Sequence, residues 1–268
     1  MSNSDQSSLS GKHVVFIHGW ALNSGVWADY IANLHEQYPG ISTQCIDLPG
    51  YGHSLNVKCD GSLESMAGFC LEQVDRPAIW VGWSLGGMVA MQAAILQAAL
   101  DKPFNAIQAM QLICTSPKFV EGDGWPEGVD IDSFRLFSKQ LASDYERTLT
   151  LFLLMQAGSK RDARELAKTA HQAICKLPNP SAETLNVGIE CLSESDLRAD
   201  VEALSIPSQV ISGLRDRVAK PVGSARLASM LRATLIELDA GHAPFMTKPN
   251  EVMLALAGLA SGVNRPTI

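Results

Sequence analysis

The chain has 268 residues, 46% of them hydrophobic, which is enough to bury a full core and suits one α/β domain with an insertion. Its 21 basic and 28 acidic residues give a net charge of −7, so no global basic face exists for nucleic acid or anionic lipid. Cys45, Cys59, Cys70, Cys114, Cys175 and Cys191 are scattered, without a Cys-x-x-Cys pair or a His at ligand spacing, so reduced thiols in or near the core are expected ahead of zinc or disulfides.

Met1 to Gly11 is polar and rich in Ser, without the charged-then-apolar pattern of a signal peptide. Residues 1–12 are expected to be a disordered lead-in, and the cytoplasm is the expected compartment. The first apolar β-branched run, His13 to Ile17, stops at the turn His18-Gly19-Trp20. Asn23 or Ser24 can cap the helix that follows, where Val26, Trp27, Tyr30, Ile31 and Leu34 recur at helical spacing. Ile41 to Leu48 reads as a strand closed by the Pro- and Gly-rich loop Pro49 to Ser54, and Ser62 to Val74 as a helix. The apolar run Ala78 to Val81 reads as a strand and Met88 to Leu100 as a buried helix, too short and too interrupted by Gln92 and Gln97 to span a bilayer. Ile107 to Cys114 is a further strand ending at Thr115-Ser116-Pro117.

From Pro117 to about Leu204 the alternation stops and the sequence becomes helical. Ser143-x-x-Glu146 has the form of a capping box, with Tyr145, Leu149, Phe152, Leu153 and Met155 following at roughly helical spacing. Ser159 can cap the next helix, which runs through Lys176 before Pro178 and Pro180. Strands resume at Ile206 to Ser212 and at Ala233 to Leu238. The expected organisation is an α/β core at 13–117 and 205–268, with a mostly parallel central sheet flanked by helices, and a helical cap inserted at 118–204. No internal repeat and no Gly-rich phosphate loop occurs, and neither cofactor nor metal is expected.

Gly82-Trp83-Ser84-Leu85-Gly86 carries Gly-x-Ser-x-Gly between a strand and a helix, the context of a nucleophile elbow. An inert tight turn is the plainer alternative. A serine hydroxyl becomes a useful nucleophile when a strained turn exposes it beside a base, and glycines on either side let strand and helix approach. The amide of Leu85 then opens a helix and faces the place where an oxyanion would form.

Two later strand ends supply what Ser84 lacks. Asp216 lies just past one and His242 just past the next, so the order is nucleophile, acid, histidine. His242 would take the Ser84 proton and Asp216 would fix the imidazole tautomer. Asp216 read alone could be a helix cap or an ion-pair partner of Arg215 or Arg217, and Asp239 could be the acid instead. His18-Gly19-Trp20 follows the first strand, and Trp20 is assigned the second oxyanion amide beside Leu85. His18 is expected to brace that loop, because one base is enough. His13, His35, His53 and His171 stand in strand, helix or loop contexts without partners and are expected to be structural. Trp83 either lines the pocket or packs against it; lining is preferred.

His18-Gly19-Trp20-x-Leu22-Asn23, Asp47 to Ser54, Gly82-Trp83-Ser84-Leu85-Gly86-Gly87, Arg215-Asp216 and Gly241-His242-Ala243-Pro244-Phe245 together resemble the α/β-hydrolase superfamily along the whole chain. Within it, the sequence resembles the serine carboxylesterases of bacterial biotin synthesis, which cleave the methyl ester of pimeloyl-acyl carrier protein. The resemblance implies a Ser84, Asp216, His242 triad, an oxyanion hole of the Trp20 and Leu85 amides, substrate contacts from Trp20, Trp83 and Phe152, and an acyl carrier protein as partner. A monomer is expected, with no role for nucleic acid or membrane. Two departures stand out: no short opening strand is visible in Met1 to Lys12, and Leu151 stands where an arginine for carrier binding is expected.

Between Arg135 and Lys176 there are eight basic and four acidic residues, a positive segment in an acidic chain. Arg161, Arg164 and Lys168 fall on one helical face at i, i+3 and i+7, and with Arg147 they suit an acidic carrier protein. An ordinary solvated amphipathic helix is the alternative. Three functions follow: an esterase for a carrier-bound methyl ester, a small-ester esterase or carbon-carbon bond hydrolase with the same triad, and a non-enzymatic receptor on the same fold. Ser84 at the elbow disfavours dehalogenase and epoxide hydrolase chemistry, which needs Asp there.

Overall fold

The computed structural model describes residues 8–98, 105–157 and 163–262. Six strands, β1 (His13–Ile17), β2 (Ser42–Ile46), β3 (Ala78–Trp83), β4 (Ile107–Ile113), β5 (Ser208–Gly213) and β6 (Thr234–Leu238), form one sheet in the order β2-β1-β3-β4-β5-β6. Every adjacent pair is parallel. β1, β3 and β5 are buried along their whole length, as expected for strands covered on both faces by helices. The strand order reverses between β1 and β3, and in an open parallel sheet that reversal opens a crevice at the carboxyl ends.

β2 is an edge strand and shorter than expected, with one buried side chain, Ile46. It is tied to β1 by polar pairs: the His13 ring bonds Ser42 Oγ at 3.0 Å and Gln44 Oε1 at 3.2 Å. His35 likewise pairs with Thr43 and His171 with Cys175, so these histidines do have partners. Residues 8–12 form a turn, and Met1 to Ser7 lie outside the described residues.

The helices α1 (Ala28–Gln37), α2 (Leu63–Glu72) and α3 (Leu85–Gln97) connect the first four strands. Asn23 Oδ1 accepts the Gly25 amide at the 3-10 turn leading into α1, and Ser62 Oγ accepts the Ser65 amide at α2. α3 begins three residues earlier than its apolar run and is buried on nearly all sides, through Ala94.

Between β4 and β5, the stretch expected as an insertion carries α4 (Ile131–Ser143), α5 (Tyr145–Ala157), α6 (Ala163–Ile174), α7 (Ala182–Glu194) and the short α8 (Arg198–Val201). The capping box expected at Ser143 does not form. Ser143 is the last residue of α4 and donates to Gln140 O, while Asp144 alone breaks the helix and its Oδ1 accepts the Arg147 amide at 3.1 Å. A side chain that ends one helix cannot also cap the next from one residue away. Ser159 lies outside the described residues. α9 (Pro221–Leu231), α10 (Pro244–Thr247) and α11 (Pro249–Ala260) complete the fold. None of the described helices is long and apolar enough to cross a membrane.

Beneath the carboxyl ends of β1 and β3 lies an aromatic cluster. The Phe245 ring stands 4.2 Å from Trp27 and 5.1 Å from Trp83, and Phe16 stands 5.2 Å from Trp27. Such ring pairs contribute roughly 0.5–1.5 kcal/mol each beyond their area burial. Phe245 is three residues past His242, so the cluster holds the loop that carries the imidazole.

Candidate active site

Ser84 links β3 to α3 at φ 55° and ψ −120°, a left-handed conformation that a side chain adopts only when its surroundings impose it. Those surroundings are glycine contacts. A Cβ on Gly82 would stand 2.7 Å from Gly87 Cα, one on Gly86 would stand 2.6 Å from the His18 carbonyl oxygen, and one on Gly87 would meet Thr115 at 2.6 Å. Strand, helix and the loop after β1 therefore close to distances that only glycine permits. Thr115 Oγ1 donates to Ser84 O at 2.7 Å and the Ser84 amide donates to Ile113 O at 3.1 Å, pinning the turn to β4.

The three side chains expected together stand in one buried hydrogen-bonded chain. Ser84 Oγ donates to His242 Nε2 at 3.0 Å, and His242 Nδ1 donates to Asp216 Oδ2 at 2.8 Å. The other carboxylate oxygen of Asp216 accepts the amides of Val218 at 2.8 Å and Ala219 at 3.1 Å, which fixes the carboxylate in plane and in rotation. Asp239, the competing acid, is 66% exposed and pairs with Arg215 on the surface. In this arrangement the imidazole is oriented to accept a proton from Ser84 while the carboxylate stabilises the resulting cation.

Trp83 both packs and lines. Its indole N–H donates to His242 O at 2.7 Å, its ring stands 5.5 Å from the imidazole, and with Ser84 it lines a cavity. Among the described residues the amides of Trp20 and Leu85 donate to no acceptor. They flank the sheet reversal from opposite sides, the first after β1 and the second at the start of α3, where the helix dipole favours negative charge.

His18 braces the loop. Its Nδ1 donates to Gly19 O at 2.8 Å, and its Nε2 accepts the Leu48 amide at 3.0 Å. Full burial lowers its pKa, against the opposing pull of Asp47 at 3.9 Å and of the Gly19 carbonyl, so the ring is neutral in this role. Asp47 in turn accepts the amides of Ser24 and His53, tying the loop after β1 to the loop after β2. That is the structural work of the Asp47 to Ser54 motif.

A cavity of about 300 Å³ opens at Ser84 and His242, at the small end of ligand-binding cavities. Trp20, Trp83 and Phe152 are among its lining residues. So are Leu149 and Met155 of the apolar helical run on α5, and residues with no local signal in the sequence: Val129, Phe134, Phe137 and Leu141 before or on α4, and Leu192 on α7. A groove of about 580 Å³ along α4 and α5 shares Phe137, Phe152 and Met155 with the cavity, and Arg147 and Leu151 line it. Arg147 and Arg164 are exposed, and Arg161 lies outside the described residues.

The described residues contain one cluster of metal-type ligands, Cys114, Asp216 and His242, with ligand atoms within 4.8 Å of one another. Burial, reinforced by the charge of Asp216, pushes the Cys114 thiol well above its ordinary pKa, so it is protonated rather than a thiolate ligand. Cys45, expected in or near the core, is exposed on the edge strand.

The chain matches the model of the α/β-hydrolase fold family over residues 12–249. It is 37% identical over 245 residues to a pimeloyl-acyl carrier protein methyl ester esterase of Methylococcus capsulatus, covering 90% of this chain and 92% of the relative. It is 36% identical over 249 residues to the esterase of that name from Stenotrophomonas maltophilia, covering 92% of each. Among solved structures, an esterase from Exiguobacterium antarcticum superposes with a TM-score of 0.77 at 21% identity, covering 94% of this chain and 92% of that one, a likeness of fold. The chain therefore belongs to the α/β-hydrolase family and, within it, to the family of pimeloyl-acyl carrier protein methyl ester esterases.

Proposed function

We propose that this carboxylic ester hydrolase removes the methyl group from a pimeloyl chain carried on acyl carrier protein, a step of biotin synthesis, acting as a cytoplasmic monomer. Ser84, His242 and Asp216 are the triad of this reading. Ser84 Oγ attacks the ester carbonyl as its proton passes to His242 Nε2, and the tetrahedral oxyanion lies between the Trp20 and Leu85 amides. Collapse breaks the bond to the methoxy oxygen, which takes the proton from His242 and leaves as methanol. Water then attacks the acyl-enzyme, giving one proton to His242; collapse breaks the bond to Ser84 Oγ, which takes that proton back from His242, and the acid product leaves and ionises to the carboxylate.

The observation that carries this reading is the buried Ser84–His242–Asp216 hydrogen-bonded chain at the wall of an apolar cavity. Apolar walls suit the methylenes of an acyl chain, at roughly 0.8 kcal/mol per buried CH₂. Trp20, Trp83 and Phe152 are the proposed contacts, and the groove past Phe152 suits the arm that leads to the carrier. Helices α4 to α7 act as the cap over the site, and Arg147, Arg161 and Arg164 guide the acidic carrier. The experiment is intact-mass analysis of acid-quenched enzyme turning over the carrier-bound methyl ester. An acyl adduct on Ser84, absent from Ser84→Ala, is expected; turnover by Ser84→Ala would overturn the reading.

A further inference from the structure

We infer that Tyr145 is a positioning residue for the oxyanion loop, the central tie of a three-point latch between that loop and the helices inserted between β4 and β5. The inference rests on the reading of the Trp20 amide as an oxyanion donor. Residues 18–23 leave β1 and carry that amide, and Ala21 holds φ 66°, the left-handed region that an alanine does not choose for itself. The loop therefore needs ties from outside to keep its shape.

Besides the His18 bond to Leu48 within the core, three ties come from different helices. The Tyr145 hydroxyl, at the first residue of α5, donates to Ala21 O at 2.8 Å. The Trp20 indole N–H donates to Leu185 O of α7 at 3.0 Å, and Asn23 Nδ2 donates to Ile174 O at the end of α6, also at 3.0 Å. Trp20, Ala21 and Asn23 are all buried, so water cannot readily replace a lost partner. Gly188 of α7 makes room for the indole, since a Cβ there would stand 2.7 Å from its nitrogen. Burial raises the Tyr145 pKa, which keeps the phenol a donor throughout the working pH range.

Tyr145 touches no reacting atom. It acts through the Ala21 carbonyl: without that bond the loop is free to relax from the left-handed conformation, and the peptide carrying the Trp20 amide turns with it. The same helix lines the cavity with Leu149, Phe152 and Met155, so the wall that contacts substrate also holds the oxyanion donor. The insertion thus adds its ties to the one that His18 makes within the core, and the oxyanion loop is held by both.

The test uses the full-length enzyme and a free short-chain p-nitrophenyl ester, with active sites counted by a phosphonate titrant. Tyr145→Phe is expected to lower kcat roughly ten- to hundredfold with KM unchanged, the scale of a misaligned catalytic group. A boronic acid that forms a tetrahedral adduct on Ser84 should bind more weakly by the same factor, while the unreactive alcohol analogue binds as before. Asn23→Asp, which keeps the acceptor for Gly25 but loses the donor to Ile174, should move both quantities in the same direction. Glu146→Gln, on the exposed side of α5, should change neither. Wild-type kcat and boronate affinity in Tyr145→Phe, or a fall in kcat without a matching loss of boronate affinity, would overturn the latch. If the boronic acid binds the wild-type enzyme no better than the alcohol, the oxyanion reading itself fails, which is a different result.

Discussion

Replacing Asp216 by Asn should reduce kcat by about 10³ to 10⁴, or roughly 4 to 5.5 kcal/mol of transition-state stabilisation, while leaving the fold intact. The reason lies in how the carboxylate is held. One oxygen accepts two backbone amides, from Val218 and Ala219, and only an oxygen can stay there. The asparagine carbonyl must therefore take that place, which turns its NH₂ toward His242 Nδ1. A donor facing Nδ1 forces the imidazole proton onto Nε2, and Nε2 then offers Ser84 an N–H instead of a lone pair. The assay is kcat on a free p-nitrophenyl ester at neutral pH, with the fold checked by thermal melting. Asp239→Asn is the companion variant and should lose little, because it breaks only an exposed pair with Arg215. Near-normal activity in Asp216→Asn together with a large loss in Asp239→Asn would refute the assignment.

Gly86→Ala places a methyl against the carbonyls of Ile17 and His18 and should cost roughly 1–3 kcal/mol in urea unfolding, with esterase activity largely lost; an unperturbed variant would contradict the packing of the elbow. His18 has a folded pKa below its ordinary 6.5, so its contribution to stability is present above pH 6.5 and falls away as the pH drops toward the folded value. Urea midpoints measured from pH 7.5 to 5 should fall on acidification, at up to about 1.4 kcal/mol per pH unit from this group, and His18→Gln should flatten that slope. Arg147→Glu and Arg164→Glu should raise KM for a carrier-bound ester and leave free esters unchanged. Salt should mimic them, since exposed charges are screened beyond about 10 Å at 0.1 M. Leu151→Arg should strengthen carrier binding, and equal losses on both substrates would point to damage to the pocket instead.

Much of the sheet was legible because its signals are local. Short β-branched runs ending in Gly turns mark β1, β3 and β5, and Gly82, Ser84 and Gly86 describe the strand-helix approach that Ser84 requires. The sequence favours Asp216 over Asp239 by its place in the motif order, although each follows a strand; the physical difference is which one a folded loop turns inward. The capping box at Ser143 misled because Asp144, one residue on, offers the same chemistry at the position where the helix breaks. The bonds from Tyr145, Leu185 and Ile174 to residues 20–23 left no trace, because they join positions more than a hundred residues apart. Cavity walls such as Phe137 and Leu192 lie on amphipathic helices, where nothing local sets them apart from core positions.

Hydrolysis of a carrier-bound methyl ester at Ser84 is read most directly from the intact mass of the carrier after incubation with the enzyme. With wild-type enzyme the pimeloyl-acyl carrier protein methyl ester should lose one methylene in mass, becoming the free acid with methanol released in equal amount, and with Ser84→Ala it should persist unchanged. An ester that survives wild-type enzyme able to cleave free p-nitrophenyl esters would contradict the account.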